Sequence, residues 1–242
     1  KSITIEGVLE GADVFSGGDV IIKGGVVGDG TTKINAGGDV LADFIQYSTV
    51  VSRGSVSANV IMNSIIEATG EVHATGKSGT VVGGNVYGMG GVDAIFAGND
   101  VSLRTVVAAG IRDSINQQKT AFERQIKLIN ESIKQIEKES EEVEREIRLG
   151  NTDDIKIKKR KDLMRQRVER NTALSGLKQK LEEIVTRIKG GAGAKVIIKD
   201  TIFAGGVVQI DEQQIYIEEE KRQVEFLKDK EGTLIVHPVV EW

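Results

Sequence analysis

Ser16-Gly17-Gly18-Asp19-Val20 returns as Ala36-Gly37-Gly38-Asp39-Val40. A short motif recurring at such an interval constrains the fold more than any other feature of the chain. Looser copies follow at Ser52-Arg53-Gly54-Ser55-Val56 and Ala68-Thr69-Gly70-Glu71-Val72, and a stretched one at Ala97-Gly98-Asn99-Asp100-Val101. The anchoring glycines stand 20, 16, 16 and then 28 residues apart, and Gly76-Lys77-Ser78-Gly79 reads as a loop inserted into the last interval. Between anchors, Val40, Ile45 and Val50, then Val56, Val60 and Ile65, then Val72, mark short apolar strands separated by corners. Three strands per repeat give one coil of a triangular parallel β-helix, each coil lying about 4.8 Å above the last. Val and Ile suit its flat inward ladders, and glycine supplies positive φ at its corners, where a side chain would clash. Asp or Asn beside the glycine bonds nearby backbone in the turn. About six coils fit in the first 110 residues. An antiparallel sandwich would instead show two-residue hairpin turns and clean alternation in longer strands.

Composition supports this reading by position. Of 29 glycines, 21 fall in residues 1–110, three in 111–190 and five in 191–242, while the whole chain has one proline. Collagen needs both residues in strict period, and a proline would cost the ladder an N–H. The organisation expected is therefore mainly β with an α insertion: a right-handed parallel β-helix, a single-stranded solenoid, over 1–112; a long antiparallel coiled-coil hairpin over 113–190; and strands over 191–242 that return to cap the last coil. Glu218-Glu219-Glu220 and Lys221 would guard the remaining edge.

The hairpin is written in heptads. Ile115, Phe122, Ile126, Ile129, Ile133, Ile136, Val143 and Ile147 keep a/d spacing, with Ser140 interrupting the seam. Leu149-Gly150-Asn151-Thr152-Asp153-Asp154 breaks the helix, glycine as the stop and Thr or Asp as the next N-cap. A second stripe runs Leu163, Leu174, Leu177, Leu181, Ile184, Ile188 and ends at Gly190-Gly191. The first helix is acidic at Glu137, Glu139, Glu141, Glu142, Glu144 and Glu146, whereas the second begins basic at Lys156, Lys158, Lys159, Arg160, Lys161, Arg165, Arg167 and Arg170. Two readings of those cations stand. They pair with the acidic helix as solvated ion pairs, or they form a basic tip for an acidic protein, an anionic membrane surface or nucleic acid. Nucleic acid is the weakest partner, since no aromatic residue lies in the tip to stack on bases.

No catalytic template fits. The chain has no Cys and two histidines, His73 and His237, which excludes thiolate zinc sites, disulfides, cysteine nucleophiles and multi-histidine metal sites. Gly76-Lys77-Ser78 lacks the upstream glycine of a phosphate loop, because residue 71 is Glu. Gly25-Val26-Val27-Gly28-Asp29-Gly30 has no phosphate-loop lysine after it. Asp19, Asp39, Glu71 and Asp100 recur where turns want acids, which leaves aligned polysaccharide-cleaving carboxylates a poor alternative. His73 stands beside Val72 without the strict hexapeptides of an acyltransferase, and His237 precedes the lone proline in a terminal strand. No catalytic, cofactor or metal residue is assigned. No apolar run is long enough for a membrane helix, and the net charge of −4 gives no polyelectrolyte signal.

The Gly-Gly-Asp-Val repeats resemble the flagellar assembly protein A family. So do the neighbouring Ala42-Asp43-Phe44-Ile45 and Val72-His73-Ala74-Thr75-Gly76-Lys77, Val81-Val82-Gly83-Gly84, the charged helical insertion and Ile202-Phe203-Ala204-Gly205-Gly206. The resemblance covers essentially the whole chain and implies a bacterial, cytoplasmic protein tied to flagellum assembly or polar placement, without catalytic residues. It implies that the chain is a fragment lacking an N-terminal domain, as the mid-strand start Lys1-Ser2-Ile3-Thr4 also suggests. Bactofilins and the C-terminal domain of MinC also resemble the glycine-rich body, and they polymerise or dimerise, but neither carries the long insertion. The expected function is a non-enzymatic scaffold recruiting protein partners through the arm. The alternatives are a homo-oligomeric or polymerising cytoskeletal protein and, last, a polysaccharide-acting enzyme.

Overall fold

The computed structural model describes residues 1–150 and 153–239, and the chain forms two compact units: Lys1–Asp113 with Ile188–Trp242, and Ser114–Arg187. The first unit is a parallel β-solenoid built on three ladders. In the first, Ile3, Val20, Val40, Val56, Val72, Val92 and Val196 stand on successive rungs. The second stacks Leu9, Val26, Ile45, Ile61, Val81, Ala97 and Ile202. The third stacks Val14, Ile34, Val50, Ile66, Val86, Val107 and Val208. All but Ile3 are buried, and together they form one continuous core.

The repeated glycines meet one half of the expectation: a side chain would clash there, but the backbone is ordinary. Their φ angles are not positive at the Gly-Gly-Asp corner; what they supply is room. A Cβ on Gly38 would lie 2.0 Å from the Asp19 Oδ1, and one on Gly54 would lie 2.1 Å from the Asp39 Oδ1. Those carboxylates reach up one rung rather than closing their own turn. Asp39 N–H donates to Asp19 Oδ1 (3.0 Å), Ser55 N–H to Asp39 Oδ1 (2.7 Å), and Glu71 N–H to Ser55 Oγ (3.1 Å). Each Gly-Gly-Asp is therefore one device: the acid binds the next coil, and the next coil's glycine vacates the space the acid fills.

Two register details differ from the sequence reading. Val60 and Ile65 face outward, and their neighbours Ile61 and Ile66 point into the core. Both positions are doubled β-branched pairs, so apolar spacing alone does not choose between them. The corner glycine after Gly70 is Gly90, whose N–H donates to the Gly70 carbonyl at 2.9 Å. Ala97-Gly98-Asn99-Asp100-Val101 lies at another corner, where Ala97 pairs with Val81 and Val101 is three-quarters exposed. Asp100 is thus not part of the stacked acid ladder.

The C-terminal segment also divides differently. Lys195–Ile202 and Gly206–Ile210 are rungs of the parallel ladders themselves. The cap begins at Gln213–Tyr216 and Lys221–Lys228, which pair antiparallel with those rungs. Phe226 is fully buried opposite Val196, closing the core end. The outermost strand, Leu234–Pro238, carries the only proline at a sheet edge, where a missing N–H costs least.

Outside the ladders, Asp29 accepts the Thr31 and Thr32 N–H groups and the Thr31 hydroxyl, which holds its carboxyl at about 2 against an ordinary 3.8. The depressed value stabilises the fold above the unfolded-state pKa, and that contribution disappears as pH falls through about 2. An NMR titration of the Asp29 carboxyl should give this midpoint, and Asp29→Asn should weaken the acid-side dependence of the unfolding midpoint. In urea denaturation, Gly54→Ala should cost about 1–3 kcal/mol through overpacking and the displaced carboxylate. Gly7→Ala, where no atom lies within 4 Å of the new Cβ, should change stability by less than about 1 kcal/mol. Combining Gly54→Ala with Asp39→Ala should be less than additive, because both changes disturb one contact.

Candidate functional site

The second unit is a helical hairpin. Helix α1 spans Asp113–Arg148 and helix α2 spans Asp154–Gly191. At 1.5 Å per residue each is about 55 Å long. Every predicted seam residue of α1 and α2 is buried or half-buried, and so is Ser140. Ile136 and Val143 pack with Leu163, joined by Ile147. Glu146 meets Lys156 at 2.9 Å and Glu137 meets Arg167 at 3.2 Å, so partners step in opposite directions along the helices and the pair is antiparallel. Gly150, at φ 90°, ends the first helix. Asp153 opens the second, its Oδ1 accepting the Lys156 N–H at 2.8 Å. Thr152, the other N-cap candidate, lies outside the described residues.

The eight predicted basic residues separate by heptad position. Lys156, Arg160, Arg167 and Arg170 continue the register of Leu163, which explains the apolar gap before Leu174. Lys156 and Arg167 pair across the hairpin with Glu146 and Glu137. The hydrogen bond between Lys156 and Glu146 raises the lysine pKa and lowers that of the glutamate. Arg165 pairs along its own helix with Asp162 (3.6 Å) and Glu169 (3.9 Å). Lys158, Lys159, Arg160, Lys161 and Arg170 have no carboxylate within 4 Å among the described residues. The ion-pair reading thus holds for Lys156 and Arg167, which meet acids of the first helix, and not for the five unpaired cations.

Two residues at the hairpin end lie off both stripes. Leu149 is 76% exposed and Ile155 is 79% exposed, one on each side of the turn. The sequence placed Leu149 only at the helix break and gave Ile155 no role, although their places outside the heptad register marked both as apolar side chains without a seam to fill.

On the solenoid, the first ladder stacks three outward residues on successive rungs: Ser57, His73 and Asp93. They do not form a nucleophile with its base. Ser57 and His73 share no hydrogen bond, the His73 Nε2 lies 3.2 Å from Glu71, and Asp93 binds Lys199 at 2.8 Å. One Asp93 oxygen is buried without a hydrogen-bond partner. A groove of about 630 Å³ beside Ser57 and His73 has Ile21 and Leu41 in its wall. Among the described residues no group of three or more acids and histidines could hold a metal ion. Gly76-Lys77-Ser78 leads into strand Thr80–Gly88 instead of a helix.

The segment entering the insertion is held by the solenoid through contacts invisible to motif reading. Arg112 pairs with Glu67 at 3.0 Å and lies 3.8 Å over the Tyr87 ring. Tyr87 donates its hydroxyl to the Gly110 carbonyl at 2.7 Å. Asp211 accepts the Ile111 N–H, and Glu212 accepts the Asp113 N–H. These residues are far apart in sequence and share no periodicity, so only the fold brings them together.

Among the described residues no helix is long and apolar enough to cross a membrane. The family profile for the Flagellar Assembly Protein A beta solenoid domain (FapA) matches residues 1–234. No curated protein and no solved structure matches the chain. If the cations at seam positions limit hairpin stability, Arg167→Leu with Arg170→Leu should stabilise the helices by about 1–3 kcal/mol, from the burial of leucine side chains. Lys158→Gln with Lys161→Gln should leave the helical melt, followed by circular dichroism at 222 nm, unchanged.

Proposed function

The chain belongs to the flagellar assembly protein A β-solenoid domain family, and from that premise we propose that it acts as a non-enzymatic scaffold in flagellar assembly or placement. The solenoid supplies a rigid body, because each inner coil is hydrogen-bonded to the coil on either side. The helical insertion supplies the docking element, and its unpaired cations face an anionic partner. One observation carries this reading. The ladders resume after the insertion in register, Val92 with Val196 and Val107 with Val208. The solenoid's pairing thus continues across the insertion without using it, so the hairpin is an addition whose purpose lies outside the core. We place the protein in the cytoplasm, with the cell pole as the site of action.

Replacing residues 114–187 by a short Gly-Ser linker should leave the β-signal in circular dichroism intact and abolish partner capture and flagellar function in cells. Undiminished capture by the deleted protein would remove the arm from the mechanism. Reversal of Lys158, Lys159 and Lys161 to Glu should reduce capture at least tenfold without unfolding the hairpin.

A further inference from the structure

We propose that the end of the helical hairpin docks on the surface of an anionic lipid bilayer, with Leu149 and Ile155 entering the headgroup region. This rests on the reading of the hairpin as a docking element and names what it docks on.

The argument begins with the two apolar side chains. Leu149 follows the last residue of α1 and Ile155 is the second residue of α2, so the turn between the helices places them at the same end. Both are more than three-quarters exposed, more than the other apolar residues of the hairpin, Leu128, Met164 and Val168. Exposed apolar side chains at the hairpin end contribute nothing to the seam, and an apolar phase outside the protein is where they lose water. The lysine and arginine stems around them extend apolar cover while keeping charge at the surface.

Charge selects the kind of surface. Between residues 144 and 161 stand seven basic residues and four acidic ones, in a protein whose net charge is −4. Three of those acids are engaged: Glu144 with Arg148, Glu146 with Lys156, and Asp153 with the start of α2. Lys158, Lys159, Arg160 and Lys161 have no such partner among the described residues and begin three residues after Ile155. Unpaired cations beside exposed aliphatic residues form the combination that holds peripheral segments to acidic headgroups, with electrostatic attraction and shallow apolar insertion each too weak alone. An anionic nucleic acid would leave the leucine and isoleucine in water, and residues 123–202 contain no aromatic side chain to stack on a base.

The test is co-sedimentation of the 242-residue chain with vesicles. Vesicles containing 30% phosphatidylserine should pellet the protein at least tenfold better than pure phosphatidylcholine, and raising salt from 0.1 M to 0.5 M should release it. Leu149→Ser with Ile155→Ser should reduce binding several-fold, as should Lys158→Glu with Lys159→Glu and Lys161→Glu. All five residues are exposed, and unchanged ellipticity at 222 nm checks that the hairpin remains folded. Equal pelleting with both vesicle types, or binding indifferent to both sets of substitutions, overturns the proposal. Capture of soluble poly-glutamate without vesicle binding also overturns it, while leaving the scaffold reading and its acidic protein partner standing.

Discussion

Each coil of this protein can lie on the next only if the corner between strands brings two backbones into close contact while leaving few polar groups unpaired. That single requirement explains the Gly-Gly-Asp repeat. The carboxylate of one coil receives the N–H of the coil above, and the glycine of that coil yields the volume the carboxylate occupies. Serine takes the same role at Ser55, with a shorter side chain and one hydroxyl acceptor. The inward Val and Ile ladders provide the burial that favours folding, but the corners set which residues stack. A slip of one residue would turn every ladder inside out.

Those chemical demands decide what could be read in advance. The repeat interval announces a solenoid because each corner sets a glycine beside a short polar acceptor for the next coil, at a spacing of a whole coil and not of one turn. The heptads announce the hairpin with similar clarity, since each stripe residue is buried or half-buried. Legibility ends where local chemistry is degenerate. Val60-Ile61 and Ile65-Ile66 offer two equivalent inward choices, and the stacking partners Ile45 and Val50 make the selection. Ala97-Gly98 imitates the repeat in composition, but pairing with Val81 assigns it to another corner. The Arg112, Tyr87 and Glu67 cluster left no local signal, because its parts meet only through the coil stacking.

The site itself was half legible. A basic run is visible to any charge count, but its division into seam and surface residues depends on the antiparallel register fixed by Glu146 with Lys156 and Glu137 with Arg167. The outward cations and the exposed pair Leu149 and Ile155 are then free for work beyond the fold. The solenoid's outward stack of Ser57, His73 and Asp93 shows the converse: residues that read as chemistry in a list lack the hydrogen bonds that would join them.

The insertion also imposes a delay during synthesis. The rung Gly91–Ala97 pairs with Lys195–Ile202, and Thr105–Ala109 pairs with Gly206–Ile210. A ribosome adding about 5–20 residues per second needs about 4–17 s to make the intervening residues 110–194. Throughout that interval the newest coil presents an unpaired parallel edge, and the antiparallel cap that will close it has not been translated. The hairpin, made of local contacts, can fold as it emerges. The nascent chain is thus most vulnerable to wrong pairing with its neighbours on a polysome during production of the arm.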